Sequence, residues 1–253
     1  MNDHTLVRSL TVLTIDEFWS WEAVLVGQTR KLLADAIAEI LPSQRWFSSK
    51  TRAIRTLAIL EAIQVSERGQ LLVVQVEFES GLEEIYQIPL AFMTTGEEAD
   101  ISASDPWIIV QQINGHIEGF LFDALGDARF CQGLLELVEQ SAQIIGASGQ
   151  IQFQLAAHYD QLRGEFGIPL LPRLLTGEQS NSSIVFDDRL IMKLFRRVEP
   201  GMNPDYELSE FLSEAGYANA PALAGRTYTA RTAKQWPSRC CKRSSPTAAT
   251  SGS

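Results

Sequence analysis

Apolar residues recur near helical spacing through residues 16–41, at Phe18, Leu25, Leu32, Ala36, Ile37 and Ile40. That period predicts one amphipathic helix, ended by Leu41-Pro42. The runs 54–65, 70–79 and 83–90 read instead as strands. Arg68-Gly69 and Ser80-Gly81 separate them, which predicts a three-stranded meander. Residues 107–124 hold two further extended runs around Asn114-Gly115, a strong hairpin signal. A helix is expected over 127–142, with Leu134, Leu135, Leu137 and Val138 on its apolar side and Asp127 as N-cap.

The texture changes after residue 150. Gln152 to Leu155 reads as extended, and 167–175, rich in Pro and Leu, as a connector or irregular strand. Two short strands follow, 183–186 and 189–195, joined by Asp187-Asp188. Asn203 is placed as an N-cap with Pro204 at the first helical position. The helix should run from Asp205 to Ala215 and stop at Gly216. No internal repeat is present.

Of the 253 residues 45% are hydrophobic and 21% charged, a globular composition. The longest apolar runs are short, and Met1-Asn2-Asp3-His4 lacks a signal-peptide pattern, so no membrane association is expected and the cytoplasm is the expected compartment. Three cysteines, two of them adjacent, make no disulfide framework and no metal-ligand spacing. A net charge of −10 argues against nucleic acid as the main partner.

That charge is unevenly spread. Residues 226–253 carry Arg226, Arg231, Lys234, Arg239, Lys242 and Arg243 and no acidic residue. A basic interaction tail, a cloning scar and a reading-frame error each produce such a segment. The genetic code favours the frame error. Regrouping codons one nucleotide earlier forces Ala at Trp236-Pro237 and Leu at Cys240-Cys241, and one permitted reading is an amphiphilic, strand-like run. The expectation is an out-of-frame, disordered tail after about residue 225.

The informative chemistry lies in Gly177-Glu178-Gln179-Ser180-Asn181-Ser182-Ser183, a small polar loop between extended segments. Its amides and hydroxyls suit phosphate oxygens. Lys193 stands in the apolar strand Ile191-Met192-Lys193-Leu194, where burial would demand an anionic partner, and Glu207 on the next helix suits that role. Loop, strand lysine and helix glutamate in this order follow the logic of a protein-kinase amino lobe. Singly, each piece has an ordinary alternative as a turn, an exposed lysine or a solvated glutamate. The segment Gln44-Arg45-Trp46-Phe47-Ser48-Ser49-Lys50-Thr51-Arg52 also has two readings: surface cations beside a buried Trp-Phe pair, or a functional signature.

With Leu190 to Arg197 and Glu199-Pro200-Gly201-Met202-Asn203-Pro204-Asp205, the loop resembles bacterial maltokinase over about residues 15–225. Gln44-Arg45-Trp46-Phe47 with Lys50 resembles the signature of that family's N-terminal cap. Trp21-Glu22-Ala23-Val24-Leu25 resembles the lead-in seen where maltokinase is fused behind trehalose synthase. The regrouped tail resembles the family's leucine-rich continuation.

The resemblance implies an α+β fold: an α/β cap subdomain, then a protein-kinase-like amino lobe of the aminoglycoside-phosphotransferase type. The boundaries expected are a cap at 1–90, an intermediate region and amino lobe at 91–225, and the tail at 226–253. The implied activity is ATP-dependent phosphorylation of maltose to maltose 1-phosphate, with Mg2+, feeding α-glucan synthesis. Gln179, Ser180, Asn181, Ser182 and Ser183 would cradle the ATP phosphates. Lys193 would contact the α- and β-phosphates and Glu207 would pair with it. The cap signature would be structural or regulatory.

The carboxy lobe with its catalytic Asp and metal-binding residues is not found in the sequence, so no catalytic residue and no metal ligand is assigned, and turnover is not expected of the chain as written. His158-Tyr159-Asp160 matches a bare His-x-Asp but precedes Lys193, the wrong order for a catalytic loop. His116 and His4 read as structural or solvated. Two rivals stand: a non-catalytic assembly module docking on trehalose synthase, and the amino lobe of another sugar or aminoglycoside kinase.

Overall fold

The computed structural model describes residues 11–16, 18–95, 107–146, 149–156, 159–175, 181–199, 201, 204–215 and 223–231. The described chain begins with strand β1 (Thr11–Ile15), then helices α1 (Trp21–Val24) and α2 (Gly27–Ile40) and a 3-10 turn, Leu41–Ser43. Strands β2 (Ile54–Gln64), β3 (Gly69–Phe78) and β4 (Glu84–Thr94) form the expected meander, and β5 (Ile108–Gln112) and β6 (Ile117–Asp123) the expected hairpin. Helix α3 (Ala128–Glu139) leads into β7 (Gln143–Ile145), β8 (Gly149–Leu155), α4 (Tyr159–Arg163) and β9 (Pro172–Leu174). Strands β10 (Asn181–Phe186), β11 (Leu190–Phe195) and β12 (Arg197–Val198) precede helix α5 (Pro204–Glu214) and strand β13 (Gly225–Arg231).

Seven strands share the largest sheet, in the order β1-β5-β6-β4-β3-β2 with β12 added beside β4. Its two end strands, β1 and β2, both pack on α2, so the sheet curls around that helix. Register shifts in β2, between Ile54 and Thr56 and between Ile59 and Glu61, supply local twist for the curl.

Strand parity assigns each side chain to one of two cores. On β3, Leu72, Val74, Val76 and Phe78 face the core shared with α2, Trp46 and Phe47. Leu71, one residue out of phase, faces a second core with Phe130, Leu134, Leu135 and Val138 of α3 and Ile184, Phe186, Leu190 and Leu194 of the β10–β11 hairpin. Phe47 and Phe130 are fully buried, each a contribution of about 2 kcal/mol or more from area removed from water. Asp127 caps α3 as expected, accepting from the Arg129 amide at 2.9 Å.

Strand β4 divides one edge between two partners. Ile85 and Tyr86 pair with β12, and Leu90 to Thr94 pair with β6. The Gln87 amide points to that edge, donating to the Arg196 carbonyl at 2.7 Å. Pro89, two residues on, faces the same edge at the gap between the partners, where a missing N–H costs nothing.

Four expectations need correction. The helix over 16–41 is two helices, because Gly27 takes φ +53° behind an extended Val26. The buried stripe of α2 is Leu33, Ala34, Ala36, Ile37 and Ile40, while Phe18 and Leu32 are exposed. A cap boundary at residue 90 falls inside β4, whose sheet runs on through β5 and β6. Residues 226–231, expected to be disordered, lie in β13, paired along its length with β8. Residues 232–253, with Cys240 and Cys241, lie outside the described residues, as do Asn203 and Gly216. Among the described residues no helix is long and apolar enough to cross a membrane.

Candidate functional site

The β10–β11 hairpin turns at Asp187-Asp188, with Asp187 at φ +47°, a conformation that Asp tolerates better than most residues. Its register sets Ser183 opposite Lys193, Asn181 opposite Phe195 and Ser182 opposite Leu194. Cross-strand partners share a face. Asn181, Ser183, Ile191 and Lys193 therefore lie on one face, and Ser182, Ile184, Phe186, Leu190 and Leu194 on the other, against the second core. Lys193 and Ile191 are exposed, whereas Ser182 and Ser183 are buried.

The structure thus brings together Ser183 and Lys193 of the expected site, with Asn181 on their face, and turns Ser182 away. Glu207 is exposed on α5, and among the described residues no ion pair joins it to Lys193. Gln179 and Ser180 lie outside the described residues.

Ser182 is held by Arg196, a residue the sequence analysis did not single out. Arg196 Nε donates to Ser182 Oγ at 2.9 Å and Nη2 to Asp123 Oδ2 at 2.6 Å. Its guanidinium carbon lies 4.7 Å from the centroid of the Trp46 ring, and only 1% of the residue is exposed. One buried cation therefore touches the segment after α2, the end of β6 and the start of β10, the end away from the hairpin turn. Leu194-Phe195-Arg196-Arg197-Val198 carried no pattern that separates a buried arginine from an exposed one; only the partner Asp123, 73 positions away, does so.

A second polar knot lies beside it. Glu84, buried, accepts from Ser49 Oγ at 2.8 Å, Arg52 Nη1 at 2.8 Å and Tyr86 Oη at 2.6 Å, with Arg197 Nη2 at 3.5 Å. The Arg52 guanidinium stacks 3.6 Å from the centroid of Phe78. Burial, and then the bond to Glu84, push the Tyr86 phenol up to about 12. In Gln44 to Arg52, then, Trp46 and Phe47 are buried and Arg45 and Lys50 exposed, the architectural alternative of the two readings.

The remaining candidates are structural in their surroundings. Tyr159 is buried and donates to Glu139 Oε1 at 2.7 Å, beside Arg163 Nε on the same oxygen at 2.8 Å. Asp160 is exposed, and His158 and His4 lie outside the described residues. His116 is exposed, with its amide on Asn114 Oδ1. Cys131 is buried in the second core, and burial pushes its thiol up to about 12, far from a reactive thiolate. Among the described residues no group of three or more His, Cys, Asp or Glu is placed to hold a metal ion.

A hairpin with an exposed lysine opposite a buried serine, fastened to a curled sheet around a helix, is a mixed α+β architecture. Residues 41–127 match the family model of the maltokinase N-terminal cap domain. The matched segment opens at the turn Leu41–Ser43 and closes at the α3 N-cap Asp127, taking in β2 through β6 and both Trp46 and Asp123. The match supports a maltokinase-related protein.

Proposed function

We propose that this chain carries the nucleotide-binding part of an ATP-dependent maltose 1-phosphotransferase, which forms maltose 1-phosphate and ADP. The observation that carries the reading is the register pairing Ser183 with Lys193 on one hairpin face, joined to a segment matched as the maltokinase cap. The exposed Lys193 ammonium is available to the α- and β-phosphates, and the half-buried Asn181 stands on the same face to bind them, while Ser183, buried opposite Lys193, backs the strand from within. Glu207 would orient Lys193 once α5 closes toward the hairpin, as in kinases where a helix glutamate sets the strand lysine. ATP with Mg2+ supplies the phosphoryl group and neutralises its charge. The described residues offer Mg2+ no ligand set, and none is assigned to the sugar hydroxyl.

The test is calorimetric titration of the folded chain with MgATP, followed by maltose-dependent release of ADP with 31P detection of the sugar phosphate. Binding that is weakened by about tenfold or more in Lys193→Met is expected. A folded chain that takes up no nucleotide would overturn the nucleotide-binding reading. Phosphate transfer to an aminoglycoside but not to maltose would replace the substrate.

A further inference from the structure

Resting on that reading and deepening it, we propose that Arg196 is a positioning residue for nucleotide binding, through which the cap sets the geometry of the phosphate-facing strand. Arg196 touches no phosphate site itself. It lies between β11 and β12, two strands that belong to different sheets. Its carbonyl is held by the Gln87 amide of β4. Its side chain then reaches back to β10 and fixes Ser182, the residue immediately before Ser183 and opposite Leu194.

The chemistry makes this a rigid link. A guanidinium is planar, and its donors stand in a fixed fork. Nε on Ser182 and Nη2 on Asp123 fix the separation of those two residues to the width of one group. The Trp46 face limits rotation by a cation–π contact. Nη1 is buried without an acceptor, so the orientation rests on these three contacts. Burial excludes water as a substitute, which makes each charge-assisted bond stronger than at the surface. Two of the anchors, Trp46 and Asp123, lie within the matched cap segment, and Ser182 lies outside it. The link therefore crosses from the cap to the hairpin that bears Lys193. A lysine at 196 could satisfy Ser182 or Asp123 but not hold both in one plane.

The experiment measures MgATP affinity of the full chain with the substitutions Asp123→Asn, Ser182→Ala and both together. Asparagine keeps the side-chain bond to the Leu125 amide that Asp123 makes, and removes the charge that holds Arg196. The expected result is a loss of about tenfold in affinity for Asp123→Asn, read well below an unfolding midpoint that falls because the buried guanidinium loses its counter-charge, with the double substitution no worse than the more damaging single one. Equal affinity in Asp123→Asn, or effects that simply multiply, would overturn the link. Should Asp123→Asn not fold, Arg196→Lys is judged by the same affinity and midpoint. Should the wild-type chain bind no MgATP, the functional reading falls and the link is tested alone by hydrogen exchange at the amides of 181–183. Faster exchange there in Asp123→Asn, beyond the uniform change set by global stability, supports positioning; exchange that follows global stability alone overturns it.

Discussion

Arg52 Nη1 lies 2.8 Å from Glu84 Oε1, joining the segment after α2 to the first residue of β4. The same carboxylate accepts from Ser49 and Tyr86, and it is only 8% exposed. Truncating it strands a phenol, a hydroxyl and a cation in a dry site. Glu84→Ala should therefore cost about 3–5 kcal/mol of stability in urea unfolding. A loss below about 1 kcal/mol would show that water replaces the carboxylate.

The two raised phenols make a pH prediction. Tyr86 is pushed up to about 12, and Tyr159 is raised by burial and then by Glu139, against an ordinary value of 10.0. Above pH 10 the unfolded chain releases phenolic protons that the folded chain keeps, so the unfolded state binds fewer protons and stability falls as pH rises. The stabilisation is complete below the unfolded value and lost as pH passes through the folded one. Tyrosinate absorbance at 295 nm should show a late step in the native chain, reduced in Tyr86→Phe. Native phenols that all titrate near 10 would contradict the buried placement.

Gly119 on β6 is a packing constraint. A Cβ there would collide with the Met93 carbonyl of β4 and press the Phe92 ring. Backbone cannot give way as a flexible side chain does, so Gly119→Ala should lower stability by about 1–3 kcal/mol. At Gly115 a Cβ meets open space, and only the positive φ of +85° resists substitution. Gly115→Ala should cost about 1 kcal/mol. The order of the two unfolding midpoints checks both.

Lys193 and Glu207 are exposed, so their contribution should appear in binding and not in stability. Lys193→Met and Glu207→Gln should each shift stability by less than about 0.5 kcal/mol. Lys193→Met should weaken MgATP by about tenfold or more, and Glu207→Gln by less. An unfolding midpoint that drops sharply in either would mean that the side chain packs in the fold.

Local chemistry was legible in the sequence wherever the partner was near in the chain. Asn114-Gly115 marked its hairpin, Asp127 marked the start of α3, and Asp187-Asp188 marked the turn between β10 and β11. What escaped depends on remote partners. Thr11–Ile15 becomes a strand only by pairing with β5, and Gly225–Arg231 only by pairing with β8. Gly27 broke a helix that periodicity alone would continue, because a positive φ leaves no mark on the hydrophobic pattern. Of the candidate site, order along the chain placed Ser183 near Lys193, and strand register made them opposite. The inward turn of Ser182 was invisible without Arg196 and Asp123.

The parallel pairing of β1 with β5 has a consequence in time. Strand β1 leaves the ribosome early and its partner strand much later, a wait of about 5–20 s at ordinary rates of synthesis. Hairpins such as β5–β6 close in microseconds once made. During that wait β1 is a strand without its partner, and once the β5–β6 hairpin closes, the outer flank of β5 stays open to any other extended chain until β1 pairs with it. Returning β1 closes that flank and completes the wall around α2. Yield on expression should then depend on how quickly the first strand comes home, a kinetic burden written into the order of the sheet.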